Sequence, residues 1–202
     1  MKNKNLVYGW GVNDVEYATN PRIKVGGRWI HLSKCPYYSD WTRLLERAIS
    51  RKFKQNNLTY KDCTVCEEWK YLSNFIKWVD SQPNRDWQNC ELDKDLLYKG
   101  NKHYSPDTCC YVPPKLNSFI TDRGTKRGVY LIGVSFCKSS KINPYKARCR
   151  NPFTGKGEHL GLFSTELEAH LTWKAKKHEH ACAFAKIQED PRLSESLYSW
   201  YL

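Results

Sequence analysis

The sequence predicts an α+β protein in two parts, and three observations predict it. Two stretches in the first half repeat apolar residues at three- and four-residue intervals. Three short strand-like runs separated by Gly-, Pro- and Asn-containing turns follow, and a long capped helical pattern comes after them. The 202 residues, 23.8 kDa in all, suit two small domains at a prior of ~150 residues per domain. The expected division is 1–120, then 127–188, then a tail over 189–202.

Residues 1–34, rich in Asn, Gly and Arg, predict an extended arm with at most short strands, the least compact part. From Ser39, "SDWTRLLERAISRKF" places Trp41, Leu44, Leu45, Ala48 and Ile49 on one helical face after a Ser/Asp cap. A second helix is expected in "EEWKYLSNFIKWVDSQ", with Trp69, Leu72, Phe75, Ile76 and Val79 toward the core. Polar, basic "ITDRGTKRG" reads as the linker. Beyond it, "VYLIGVSF", "YKARCRN" and "EHLGLF" read as strands. "STELEAHLTWKAKKHEHACAFAKIQ" opens with a capping box, Thr165 with Glu168, and is the longest helix. Such a three-stranded antiparallel sheet packed on one helix leaves its second face open to solvent or to a ligand.

Lys and Arg number 33 against 21 Asp and Glu, a formal net charge of +12 that is spread along the chain. That balance favours a polyanion, since each basic group that neutralises a phosphate releases a counterion. It does not choose between DNA and RNA. No apolar run approaches the ~18 residues of a membrane span, and the start lacks the apolar stretch of a signal peptide. No membrane partner and an intracellular location are the expectations. In that setting nine cysteines read as reduced thiols or metal ligands before they read as disulfides.

Within the last third, Gly133-Val134, "YKAR" at Tyr145–Arg148, "HLGLFSTELEAH" and Trp173 carry a resemblance to the ethylene-response-factor or apetala-type DNA-binding domain of plant transcription factors, which viral and phage endonucleases also carry. The resemblance implies that the sheet enters the major groove, with Arg127, Lys146, Arg148 and Arg150 contacting DNA. Period two independently places Lys146, Arg148 and Arg150 on one sheet face.

The stretch "LDKDLLYKGNKHYSPDTCCYVPPKLNSF", Leu92 to Phe119, resembles the frame of ββα-metal, or HNH, nucleases. In that frame Asp93 stands at the carboxylate, Asn101 in the turn, "TCCYV" on the second strand and Asn117 at the helical amide. Together with "CPYYSDWTRLLERA" and "TYKDCTVCEEWKYLSNFIKWV", the stretch is similar to phage-encoded homing-type endonucleases. The resemblance implies double-stranded DNA as substrate and a phage protein in the bacterial host cytoplasm. It also implies Mg²⁺ (or Mn²⁺) held by Asp93, Asn117 and, as a further ligand, Asp95. The family's usual histidine is replaced by Lys94. Three groups are therefore open as base: Lys94, which otherwise holds a phosphate, His103 from the second strand, and Asp95.

Cys63-x-x-Cys66 has the spacing of half a zinc site, and Cys90 and Cys109 complete a candidate structural Zn²⁺ set, with buried free thiols as the default reading. Two function classes stand at this point. One is a metal-dependent DNA endonuclease. The other is a nucleic-acid-binding protein, regulatory or architectural, that retains the nuclease fold without cutting.

Overall fold

A computed structural model describes residues 6–121 and 129–202. The chain divides into two compact units, Met1–Val112 and Pro113–Leu202. The expected division at residue 120 therefore moves to the Val112/Pro113 junction.

In the first unit a hairpin, β1 (Arg22–Val25) and β2 (Arg28–His31), precedes helix α1 (Pro36–Ile49). The expected start at Ser39 was three residues late. Pro36 opens the helix, where its missing N–H costs nothing, and the Ser39 hydroxyl turns back to donate to the Cys35 carbonyl. The pattern also breaks at Ser50, whose extended backbone and hydroxyl cap a separate helix α2 (Arg51–Asn56) by accepting from Phe53 N–H. The second expected helix divides likewise into a 3-10 turn at Glu67–Lys70 and helix α3 (Leu72–Ser81).

The arm explains that second break. Leu72 N–H donates to the Val12 carbonyl, and Ser73 donates its N–H and its hydroxyl to the two carboxylate oxygens of Asp14, at 2.9 and 2.6 Å. Residues distant in sequence thus satisfy the first-turn donors of α3, and the arm is pinned where the sequence suggested looseness. The aromatics form the core as expected. Trp41, Trp69, Phe75 and Trp78 are buried together, Trp41 Nε1 donates to the Trp69 carbonyl at 2.7 Å, and the Trp69 and Trp78 rings lie 4.7 Å apart. Two short sheets complete the unit. β3 (Thr64–Val65) pairs in parallel with β5 (His103–Tyr104), and β4 (Glu91–Asp93) pairs antiparallel with β6 (Cys110–Val112).

The second unit opens with helix α4 (Pro114–Ile120). Phe119 ties it there: its ring meets Phe184 at 5.2 Å and Tyr201 at 5.8 Å, and Lys177 Nζ lies 3.4 Å above it while donating to its carbonyl. The three expected strands follow as β7 (Val134–Phe136), β8 (Tyr145–Arg150) and β9 (Gly157–Phe163), antiparallel in that order. Helix α5 (Glu166–Ala185) covers one face, and its Thr165/Glu168 capping box forms as the sequence predicts. The expected tail is instead helix α6 (Pro191–Ser199), capped by Asp190, with Leu193 and Leu197 fully buried. Two leucines at helical spacing have enough apolar area to order a segment that composition alone reads as polar.

Candidate nuclease site and candidate nucleic-acid face

Strand β4 ends at Asp93, and its side chain immediately folds the chain over. Asp93 Oδ1 accepts from the Asp95 N–H at 2.8 Å and from the Leu96 N–H at 2.7 Å. Leu96, fully buried, fixes the far side of this Asx turn. The carboxyl group of Asp93 is pushed up to about 6, chiefly by burial and next by the negative charge of Asp95, against the two backbone donors that favour its ionised form. The negative charge of Asp95 thus adds to burial in disfavouring the ionised form of Asp93.

Lys94 turns inward. Its side chain is 9% exposed, its ammonium pairs with Asp95 Oδ2 at 3.2 Å, and it lies 5.9 Å from the Tyr104 ring centroid. A solvent-facing phosphate contact, the sequence's preferred role for Lys94, does not fit this geometry. Burying an ammonium without its carboxylate partner costs several kcal/mol, so the side chain stays with Asp95.

His103 was expected on the second strand of the hairpin that carries Asp93, and it lies on β5 of the other small sheet. Asn101 nevertheless joins the two. Its Nδ2 donates to the Lys94 carbonyl at 2.6 Å and to the His103 carbonyl at 2.7 Å, while its Oδ1 accepts from the His103 N–H. Gly100 supplies the positive φ, 82°, that turns the chain into this clasp. The His103 backbone is thereby held beside the residue that follows Asp93. Its exposed imidazole is set by Thr64, with Nδ1 and the Thr64 hydroxyl 2.8 Å apart. When Nδ1 carries the proton and donates, Nε2 is left as a free base. Sequence reasoning read Asn101 as a turn residue and missed both its bridging role and Thr64. An Asn after a Gly was the only signal for the first, and a contact between strands far apart in sequence gave none for the second.

Asn117, the amide in the expected ligand set, lies on α4 in the second unit. Among the described residues no three His, Cys, Asp or Glu side chains gather as a metal-holding group. That includes Cys63, Cys66, Cys90 and Cys109, which do not assemble into a zinc set. Burial raises all four thiols, Cys109 to about 12.

In the second unit the alternation along β8 holds. Ala147 and Cys149 are buried, whereas Arg148 and Arg150 are exposed and Lys146 is half-buried. An irregularity between Ala147 and Arg148 shifts the register with β9. Gly157 leaves room for the Arg148 guanidinium, which a Cβ there would meet at 2.7 Å. Arg150 Nε donates to the Gly155 carbonyl at 3.1 Å. Both arginines line a shallow depression of about 490 Å³ with Gly133, Val134, Ser135, Gly155 and Gly157. Arg127 lies outside the described residues.

Comparison with protein-family models finds no match, and comparisons with curated proteins and with solved structures find none either.

Proposed function

We propose that the protein is a metal-dependent endonuclease acting on double-stranded DNA, of the ββα-metal type that its sequence resembles. The observation that carries the proposal is the Asp93–Asp95 carboxylate pair, with the His103 backbone clasped by Asn101 to the carbonyl of the intervening Lys94. Oxygen donors from one or two carboxylates suit Mg²⁺ or Mn²⁺, which otherwise keeps its waters. The ion, when bound, would polarise the scissile phosphate and lower the pKa of water. Asp93 and Asp95 would hold it, and the Nε2 of His103 would take the proton from the attacking water. Lys146, Arg148 and Arg150 would hold phosphates of the duplex.

A supercoiled plasmid incubated with the protein and Mg²⁺ should be nicked, and EDTA should stop the nicking. His103→Ala should slow cutting by about 10²-fold or more, the usual worth of a positioned base, with DNA affinity retained. A His103→Ala variant that cuts at the wild-type rate removes the imidazole from the mechanism. Arg148→Ala should weaken duplex binding and flatten its dependence on salt, measured by anisotropy of a labelled duplex.

The second reading, a binding protein without cleavage, is favoured by the Lys94–Asp95 ion pair, which already neutralises one carboxylate from within. Absence of metal-dependent cleavage on DNA that the wild-type protein demonstrably binds would decide for it.

A further inference from the structure

The hairpin of β1 and β2 exposes all eight of its residues. Isolated two-stranded hairpins are marginally stable in water, yet this one is rooted firmly. Leu32 N–H donates to the Pro21 carbonyl and Cys35 N–H to the Thr19 carbonyl, each at 2.9 Å. Thr19 is buried and receives the Asn13 side-chain amide at 3.0 Å. The tip is Gly26-Gly27, both at positive φ, as a tight two-residue hairpin turn needs. A Cβ at either glycine would meet no atom within 4 Å. The fold thus anchors the ribbon at its root and leaves its tip without neighbours.

The register sorts its side chains. Arg22 faces His31 and Lys24 faces Trp29, which puts these four on one face, while Ile23, Ile30, Val25 and Arg28 share the other. On the first face the Arg22 guanidinium lies 5.6 Å from the Trp29 ring centroid, and the indole is 62% exposed. No Asp or Glu occurs between Glu16 and Asp40, a span that carries Arg22, Lys24, Arg28 and Lys34. The ribbon is therefore cationic without internal compensation and carries a largely exposed indole that meets a guanidinium of its own strand pair.

We infer that this ribbon is a second, independent nucleic-acid contact, inserting its Arg22–Lys24–Trp29–His31 face into a groove of duplex DNA. A two-stranded ribbon fits the major groove, about 12 Å wide. The uncompensated charge matches phosphate, and the Arg-stacked indole offers a flat surface to sugars and base edges. The inference rests on the proposed duplex-DNA partner and adds to it a surface in the first unit.

The test uses the full chain with Arg22→Ala, Lys24→Ala and Trp29→Ala combined, and Arg148→Ala as comparator, in anisotropy titrations of a labelled duplex at several salt concentrations. The triple variant should bind roughly tenfold or more weakly, and the slope of log affinity against log salt should shrink by about 1.8, the share of two phosphate contacts. Thermal unfolding should be unchanged, because the removed side chains are exposed. If unfolding does shift, Arg22→Gln with Lys24→Gln keeps the aliphatic stems, and the same loss of slope is required of it. Wild-type binding by the triple variant alongside weakened binding by Arg148→Ala overturns the ribbon while leaving the DNA partner intact. A triple variant that binds DNA normally but sediments at a different mass makes the ribbon a contact between copies of the chain, which also overturns it. Failure of the wild-type protein to bind any duplex removes both.

Discussion

Replacing Asp93 by Asn is expected to abolish Mg²⁺-dependent cleavage, on the order of 10⁴-fold, while the protein stays folded and bound to DNA. The loss follows from the proposed donor set: a hard divalent cation held there by two carboxylates would lose one charged oxygen, and the charge stabilisation it would supply amounts to several kcal/mol. The fold survives because an amide oxygen at the same position still accepts from the Asp95 and Leu96 N–H groups that make the turn. Above pH 6 the variant should be more stable than wild type, by on the order of 1 kcal/mol, since it no longer keeps a carboxylate charged against burial and Asp95. Chemical denaturation with far-UV circular dichroism measures the stability, and plasmid nicking measures the cut. A variant that unfolds would make Asp93 structural; one that still cuts would remove it from the metal.

The pH dependence of stability gives the same site a signature that needs no substrate. The Asp93 carboxyl titrates near 6 in the folded chain, above its ordinary value of 3.8, so the folded state holds that proton more tightly than the unfolded state. Its stabilising contribution is complete below about pH 4, falls as pH rises through 6, and is flat above that. Wild-type stability should carry this falling component between pH 4 and 6, and Asp93→Asn should lack it. Mg²⁺ should raise the melting temperature of wild type at pH 8, lose that effect below pH 6 where the proton competes, and leave the variant unmoved.

Local sequence made some of these features legible and others not, and the difference is one of range. The Thr165/Glu168 capping box, the three strands and the alternation of Lys146, Arg148 and Arg150 with Ala147 and Cys149 depend on residues a few positions apart, and they form as read. The break before α3 depends on Asp14 and Val12, and the placing of His103 depends on Asn101 and Thr64, partners that no periodicity reports. Lys94 illustrates a third case. Its type suits a phosphate, yet a neighbouring carboxylate and the Tyr104 ring draw the ammonium inward. For the candidate nuclease site the sequence named Asp93, Asp95 and His103 but not the Asn101 hydrogen bonds that hold the His103 backbone beside the Lys94 carbonyl. α6 shows the same limit, since its leucines order the terminus only because α5 is there to bury them.

Gly133→Ala should unfold the second unit while the first remains intact. Gly133 adopts φ 84°, where an L side chain costs about 1–2 kcal/mol, and a Cβ there would overlap Trp173, with Cγ at 2.0 Å and Cδ1 at 2.2 Å. The indole has little freedom to move aside: His170 stacks on it at 5.6 Å, Tyr201 meets it edge-on at 6.2 Å, and only 9% of it is exposed. Overpacking a closed core costs a further 1–3 kcal/mol or so, which brings the total near the lower end of a small domain's whole stability, roughly 5 kcal/mol. Displacing the Gly133 backbone offers no escape, because its carbonyl accepts from Arg148 N–H at 2.9 Å and joins β7 to β8. The strand that presents Arg148 and Arg150 would be loosened first. Hydrogen exchange read by mass spectrometry should therefore show rapid exchange across β7, β8, β9 and α5, and unchanged protection across α1 and α3 around Trp41 and Trp69. Equal loss of protection in both halves would mean that the two units fold as one, and the sheet of β7, β8 and β9 would then not be separable from the Asp93 turn.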